Sequence, residues 1–156
     1  MDQKDVRIVE LPALRVAWVI GFGESPEMQA LEKMNTWLKE HNLPTSQIRL
    51  FGFDNPSPSA GSPNYGYEVW ATVEPEIEPG SGVGIKTFEG GLYAVARYSG
   101  KPELLPHAWA QLMAWVEASS YAPGRHQWLE EHLYQPAALQ GDVDKMVFDL
   151  YLPIIR

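Results

Sequence analysis

Trp128-Leu129-Glu130-Glu131-His132-Leu133 is the stretch whose conformation decides how this chain is built. Its composition alone favours a helix, which would gather Trp128, Leu129, His132 and Leu133 on one side. As a strand it would place Trp128, Glu130 and His132 on one face and Leu129, Glu131 and Leu133 on the other. With the leucines packed under a helix, Glu131 would sit awkwardly among them; by default it is a surface residue.

Working outward from this stretch, the rest of the chain favours the strand. Residues 15–20, Arg-Val-Ala-Trp-Val-Ile, form a short run rich in β-formers. Ser25 is a candidate N-cap, with Pro26 at the first helical position. Leu31, Met34 and Leu38 then recur at helical spacing until Asn42 and Pro44 end the run. Strands are expected over residues 47–53 and 67–73, separated by a Pro/Ser/Gly loop at residues 54–63. The order then recurs. Residues 92–98 read as a strand, Leu105, Trp109, Leu112 and Val116 mark a second amphipathic helix, and residues 146–152 read as the last strand. Gly23 and Gly100, Trp37 and Trp115, Pro56 and Pro136, and Pro75 and Pro153 stand 77, 78, 80 and 78 residues apart. In this alignment the Trp128 stretch corresponds to the strand at residues 47–53.

The expected fold is therefore α+β: one domain over residues 1–156, made of two strand-helix-strand-strand units. They lie at about residues 6–76 and 90–155, with a connector at about 77–89. The expected arrangement is a pseudo-twofold pair. Each unit's helix covers only one face of its sheet, so the remaining faces should meet and leave a groove for a ligand.

Composition narrows the function. Of 156 residues, 45% are apolar and 21% charged, which is ordinary globular usage. No apolar run is long enough to cross a bilayer, and the charged start does not read as a secretory signal. The absence of cysteine excludes thiol catalysis and thiolate metal sites, and the cytoplasm is the default compartment. A net charge of −8 without clustered Lys or Arg argues against direct nucleic-acid binding and permits cationic partners. The four histidines, His41, His107, His126 and His132, lack metal-ligand spacing, and there is no GxSxG elbow. Gly80-Ser81-Gly82-Val83-Gly84 follows a Pro/Glu run and reads as a flexible connector rather than a phosphate cradle. Asp142 and Asp144 lack the rest of a calcium loop. No metal or cofactor is implied.

What remains is a carboxylate among aromatics. Such a group can hold a lipophilic cation through charge and cation–π attraction, or serve as a general acid or base once desolvation raises its pKa. Trp128 shares the parity of Glu130 if the stretch is a strand. Tyr67 or, on the other face of its strand, Trp70 is a further candidate, as are Tyr93 and Tyr151; for each, groove and core are both open. Trp37 and Trp115 fall at matched helical positions and are assigned to the core.

Gly90-Gly91-Leu92-Tyr93-Ala94-Val95-Ala96, Leu129-Glu130-Glu131-His132-Leu133, Phe53-Asp54-Asn55-Pro56 and Asp149-Leu150-Tyr151-Leu152-Pro153-Ile154 together resemble the gyrase-inhibitor-like (GyrI-like) small-molecule-binding family, also found as the effector domain of AraC- and MerR-type regulators. The resemblance covers nearly the whole chain and implies the two-unit fold. It places the family's groove glutamate on Glu130, six residues before Pro136, and puts His132 where the motif has tyrosine. A histidine there can still donate a hydrogen bond or titrate near neutral pH. With no room for a helix-turn-helix, the resemblance implies a stand-alone effector-type domain. Its ligands would be amphipathic, cationic or aromatic small molecules, bound by Glu130, Trp128, His132, Tyr67, Trp70, Tyr93 and Tyr151. Two alternatives come with it: a hydrolase of cyclopropane-bearing toxins with Glu130 as acid or base, and a protein-binding modulator of DNA gyrase.

Overall fold

The computed structural model describes residues 5–133 and 147–156. In chain order the elements are β1 (Val6–Leu11), β2 (Leu14–Gly23), α1 (Pro26–Glu40), β3 (Leu50–Asp54), β4 (Tyr65–Thr72), β5 (Gly84–Phe88), β6 (Gly91–Ser99), α2 (Leu105–Ala118), β7 (Ala122–Pro123), β8 (Leu129–His132) and β9 (Val147–Ile155). The decisive stretch is a strand, β8. Pro136, Asp142, Asp144 and Met146 lie outside the described residues.

Eight strands pair antiparallel in the order β1-β6-β9-β8-β3-β4-β2-β5, and β7 adds to β9. Two of them were not anticipated. β1 precedes the first expected strand, and β5 occupies much of what reads as connector, pairing with β2 from Leu14↔Phe88 to Trp18↔Gly84. Residues 45–47 form a 3₁₀ turn, so β3 starts later than expected. Pro26 opens α1 as its pattern requires, although the Ser25 side chain makes no capping hydrogen bond. Asn42, at φ 52°, ends the helix in the left-handed conformation that asparagine tolerates.

Because β3 and β8 pair with each other, at Phe51↔Glu131 and Gly52↔Glu130, both helices share one side of a continuous sheet. Ala17, Val19, Tyr67, Ala94, Ala96 and Leu150 face them, packing on Leu31, Met34 and Trp37 of α1 and on Leu112 and Val116 of α2. Trp37 is buried as expected, and Trp115 is partly buried against the same core.

The other face closes on itself. β1 and β2 are joined by Pro12-Ala13 alone, and β5 and β6 by Glu89-Gly90. Such links reach about 11 Å. Six strand spacings in a flat sheet would put their ends about 29 Å apart. The sheet must therefore curl until its edges approach, and Val9 of β1 and Phe88 of β5 indeed pack against the same core. Inside the curl, Leu11, Val16, Phe51, Phe53, Trp70, Tyr93, Val95, Leu129 and Tyr151 form a second, aromatic-rich core. Among the described residues the free sheet faces thus meet as a buried core. The open space lies on the helical side, above the central strands that neither helix covers. No helix among the described residues is long and apolar enough to cross a membrane.

Candidate functional site

Three adjacent strands build the floor of this space. Alternation along β8 turns Glu130 and His132 toward the helices, and Tyr67 of β4 reaches the same point across β3. Gly52 makes that crossing feasible: a Cβ there would fall 2.1 Å from the Tyr67 hydroxyl. The tyrosine hydroxyl lies 3.4 Å from Glu130 Oε1, to which it donates, and 3.2 Å from His132 Nε2. Both contacts are satisfied when His132 carries its proton on Nε2. Gly52→Ala should displace the Tyr67 ring and lower stability by about 1–3 kcal/mol. Urea unfolding checks this, and an unchanged midpoint would show that the strands accommodate the methyl group without cost.

The walls come from the helix starts. Glu24, Glu27, Met28 and Leu31 stand on the α1 side, with Pro102, Glu103, Leu105, Pro106 and Trp109 on the α2 side, around a cavity of about 590 Å³. It continues into a second of about 410 Å³, where Phe53, Ser57, Gln127 and Trp128 join Asp54, Trp109 and Glu130. Trp109 and Trp128 pack together, ring centroids 5.1 Å apart. Tyr65 donates a hydrogen bond to Glu27 at the rim.

Among the described residues no Lys or Arg lines either part of the cleft, while five carboxylates do: Glu24, Glu27, Asp54, Glu103 and Glu130. Burial, reinforced by the charges of Asp54 and Glu27, pushes the Glu130 carboxyl up to about 8; the Tyr67 hydrogen bond opposes this weakly. Burial also raises Asp54, with Glu27 adding to it. His132, 4% exposed, is pushed down to about 4 by burial and is neutral at physiological pH. Its Nδ1 has no hydrogen-bond partner among the described residues.

Of the residues singled out in the sequence, Glu130, Trp128, His132 and Tyr67 meet in this cleft. Trp70, Tyr93 and Tyr151 lie across the sheet in the aromatic core. Tyr151 and Tyr93 stack edge to face there, and Trp70 packs edge-on against Phe53. Glu131 corrects its surface assignment: it is 8% exposed, accepts two hydrogen bonds from Arg49 and is bonded by Tyr151. Sequence reasoning passed over Asp54, Glu27, Tyr65 and Trp109. The helical spacing of Trp109 was visible, but the position of its helix start over the sheet centre was not.

The GyrI-like small molecule binding domain family matches residues 4–155, and the chain belongs to that family. Similar folds occur in EcmrR in complex with DNA (TM-score 0.71, 13% identity), where the match covers 97% of this chain and 57% of that one. A protein described as a hydrolase from Listeria innocua matches at TM-score 0.63 and 14% identity, over 99% and 94% of the two chains. SAV2435 bound to tetraphenylphosphonium matches at TM-score 0.52 and 11% identity, over 99% and 94%. This chain thus spans little more than half of the EcmrR chain.

Proposed function

We propose that the protein binds amphipathic, lipophilic cations in the cleft between α1 and α2, with Glu130 as counter-charge. The observation that carries this reading is a carboxylate on the floor of a cavity walled by Tyr67, Trp109 and Trp128 and lined, among the described residues, by no Lys or Arg. Aromatic faces attract a cation and cover its apolar groups, while a carboxylate shielded from water interacts with it strongly. The relative that holds tetraphenylphosphonium supports the same ligand class. The two-unit reading of residues 6–76 and 90–155 goes with it. Strand order β6-β9-β8 followed by β3-β4-β2 lists the first, third and second strands of one unit and then the reverse for the other, as a pseudo-twofold pair would.

Titration with tetraphenylphosphonium and with neutral triphenylphosphine oxide, followed by tryptophan fluorescence, tests the proposal. The cation should bind in the micromolar range and lose at least about tenfold in Glu130→Gln, about 1.4 kcal/mol, while the neutral compound changes little. Cation binding indifferent to Glu130, or none, would overturn it.

A second reading draws on the contact of Glu130 with Tyr67, and of Tyr67 with His132. In a hydrolase opening a strained ring, Glu130 in its protonated form would donate to the leaving atom. Its conjugate base would then take a proton from the attacking water. Turnover of a cyclopropane-bearing substrate, abolished in Glu130→Gln, would establish this activity.

A further inference from the structure

A second cation-recognition arrangement lies on the opposite face of the sheet. Glu68 of β4 is 2% exposed and accepts hydrogen bonds from Trp70 Nε1 and, at 3.0 Å, from Asn55 Nδ2. The Lys86 ammonium forms an ion pair with the same carboxylate. That ammonium also lies 4.9 Å from the Trp18 ring centroid and 5.1 Å from the Trp70 centroid. A buried carboxylate with two indole faces around one ammonium is the chemistry by which proteins recognise alkylammonium ligands.

The walls are fixed independently of the lysine. Trp18 lies flat against Gly84, where a Cβ would come within 2.4 Å of its indole nitrogen, and the two residues are register partners. Trp70 is held by its bond to Glu68 and by edge contact with Phe53, centroids 5.0 Å apart. Phe88 also packs against Trp70, ring centroids 5.1 Å apart. Lys86, by contrast, stands on β5, the last strand in the order, and its side chain is 39% exposed. It can swing out without disturbing the backbone.

We propose that Trp18, Trp70 and Glu68 form a second cation site, for small alkylammonium ions, which Lys86 occupies as a tethered ligand. The tether gives the lysine a high effective concentration, so free cations are kept off this face. Lys86 thereby restricts the protein to cations that fit the cleft of Glu130.

Removing the tether tests this. Lys86→Ala should lower thermal stability, and n-propylammonium should restore it saturably at millimolar concentration, shifting the Trp18 and Trp70 indole N–H resonances. Sodium and n-propanol should not. The wild type and Lys86→Ala/Glu68→Gln should show no such shift. Rescue that is absent, or equal in the double variant, would overturn the proposal. Should Lys86→Ala not fold, acylation of the wild type still decides the matter. Lys86 should react at least about fivefold more slowly than the exposed Lys39 and Lys101, and Glu68→Gln should erase the difference. Equal labelling in the wild type would refute a caged ammonium. Because Glu130 takes no part, the outcome is independent of ligand binding in the cleft.

Discussion

Affinity for tetraphenylphosphonium should rise about a hundredfold between pH 6 and pH 9, and this rise should vanish in Glu130→Gln. With its carboxyl pushed up to about 8, Glu130 is protonated in most empty molecules at neutral pH. A cation binds the ionised form, so apparent affinity scales with the ionised fraction, about 1% at pH 6 and about 90% at pH 9. The sign follows from the cause: a raised carboxyl loses its charge as pH falls, and cation binding is lost with it. The other titratable groups facing the site among the described residues are Glu24 before α1, Glu27 on α1, Asp54 from β3, Tyr65 and Tyr67 from β4, Glu103 before α2 and His132 on β8 itself. His132, neutral down to about 4, contributes no opposing charge over this range. Each cation bound at pH 7 should expel nearly one proton, so calorimetric enthalpies should track the buffer's ionisation enthalpy. A flat pH profile in the wild type would mean that Glu130 is ionised throughout.

The largest loss of stability should come from Arg49→Met. Arg49 Nε and Nη2 each donate to Glu131 at 2.9 Å, and Nη2 also lies 3.0 Å from the Tyr151 hydroxyl. The guanidinium lies 5.0 Å over the Phe51 ring. Arg49 itself reaches solvent, with a side chain 40% exposed, but Glu131 does not. Removing the arginine leaves a carboxylate in an aromatic core with a single hydrogen bond from Tyr151. The cost should be about 3–5 kcal/mol, or roughly 10 °C in Tm. Arg49→Met/Glu131→Leu should regain most of it, since the apolar replacement leaves no buried charge behind. Chemical denaturation of both variants checks this. A loss below about 1 kcal/mol in the single variant would class the pair with ordinary exposed ion pairs.

Glu131 also shows where sequence reading reaches its limit. Alternation along residues 128–132 divides the stretch into the two observed faces once the repeat favours the strand. Which face turns toward the helices is a separate matter, because parity carries no label for inside. Leu129 would be placed under a helix on hydrophobicity alone, yet it packs inside the curl. The curl arises from β1 and β5, one before the first expected strand and the other within the connector, and neither carries a strong pattern. For the same reason Trp70, Tyr93 and Tyr151 could not be separated from Tyr67 and Trp128. Tyr67, Trp70, Tyr93 and Tyr151 sit on strands with correct alternation and Trp128 immediately precedes β8, and only the closure of the sheet decides which side is wet. The cleft glutamate was legible because the resemblance fixed its position. Asp54 and Glu27, which set its electrostatics, come from distant segments with no shared motif.

The pairing of β1 has a mechanical consequence. β1 precedes every element that carries α1, yet its six residue pairs are all with β6, in the segment that carries α2. At the sheet centre, the same two segments meet, among the described residues, through the two pairs between β3 and β8. The chain is strapped tightly along its outer margin and stitched lightly under the ligand cleft. Such a joint yields at the stitch before the strap, so a bulky guest prising α1 from α2 would strain the two-pair ladder that carries Glu130 while the protein stays in one piece.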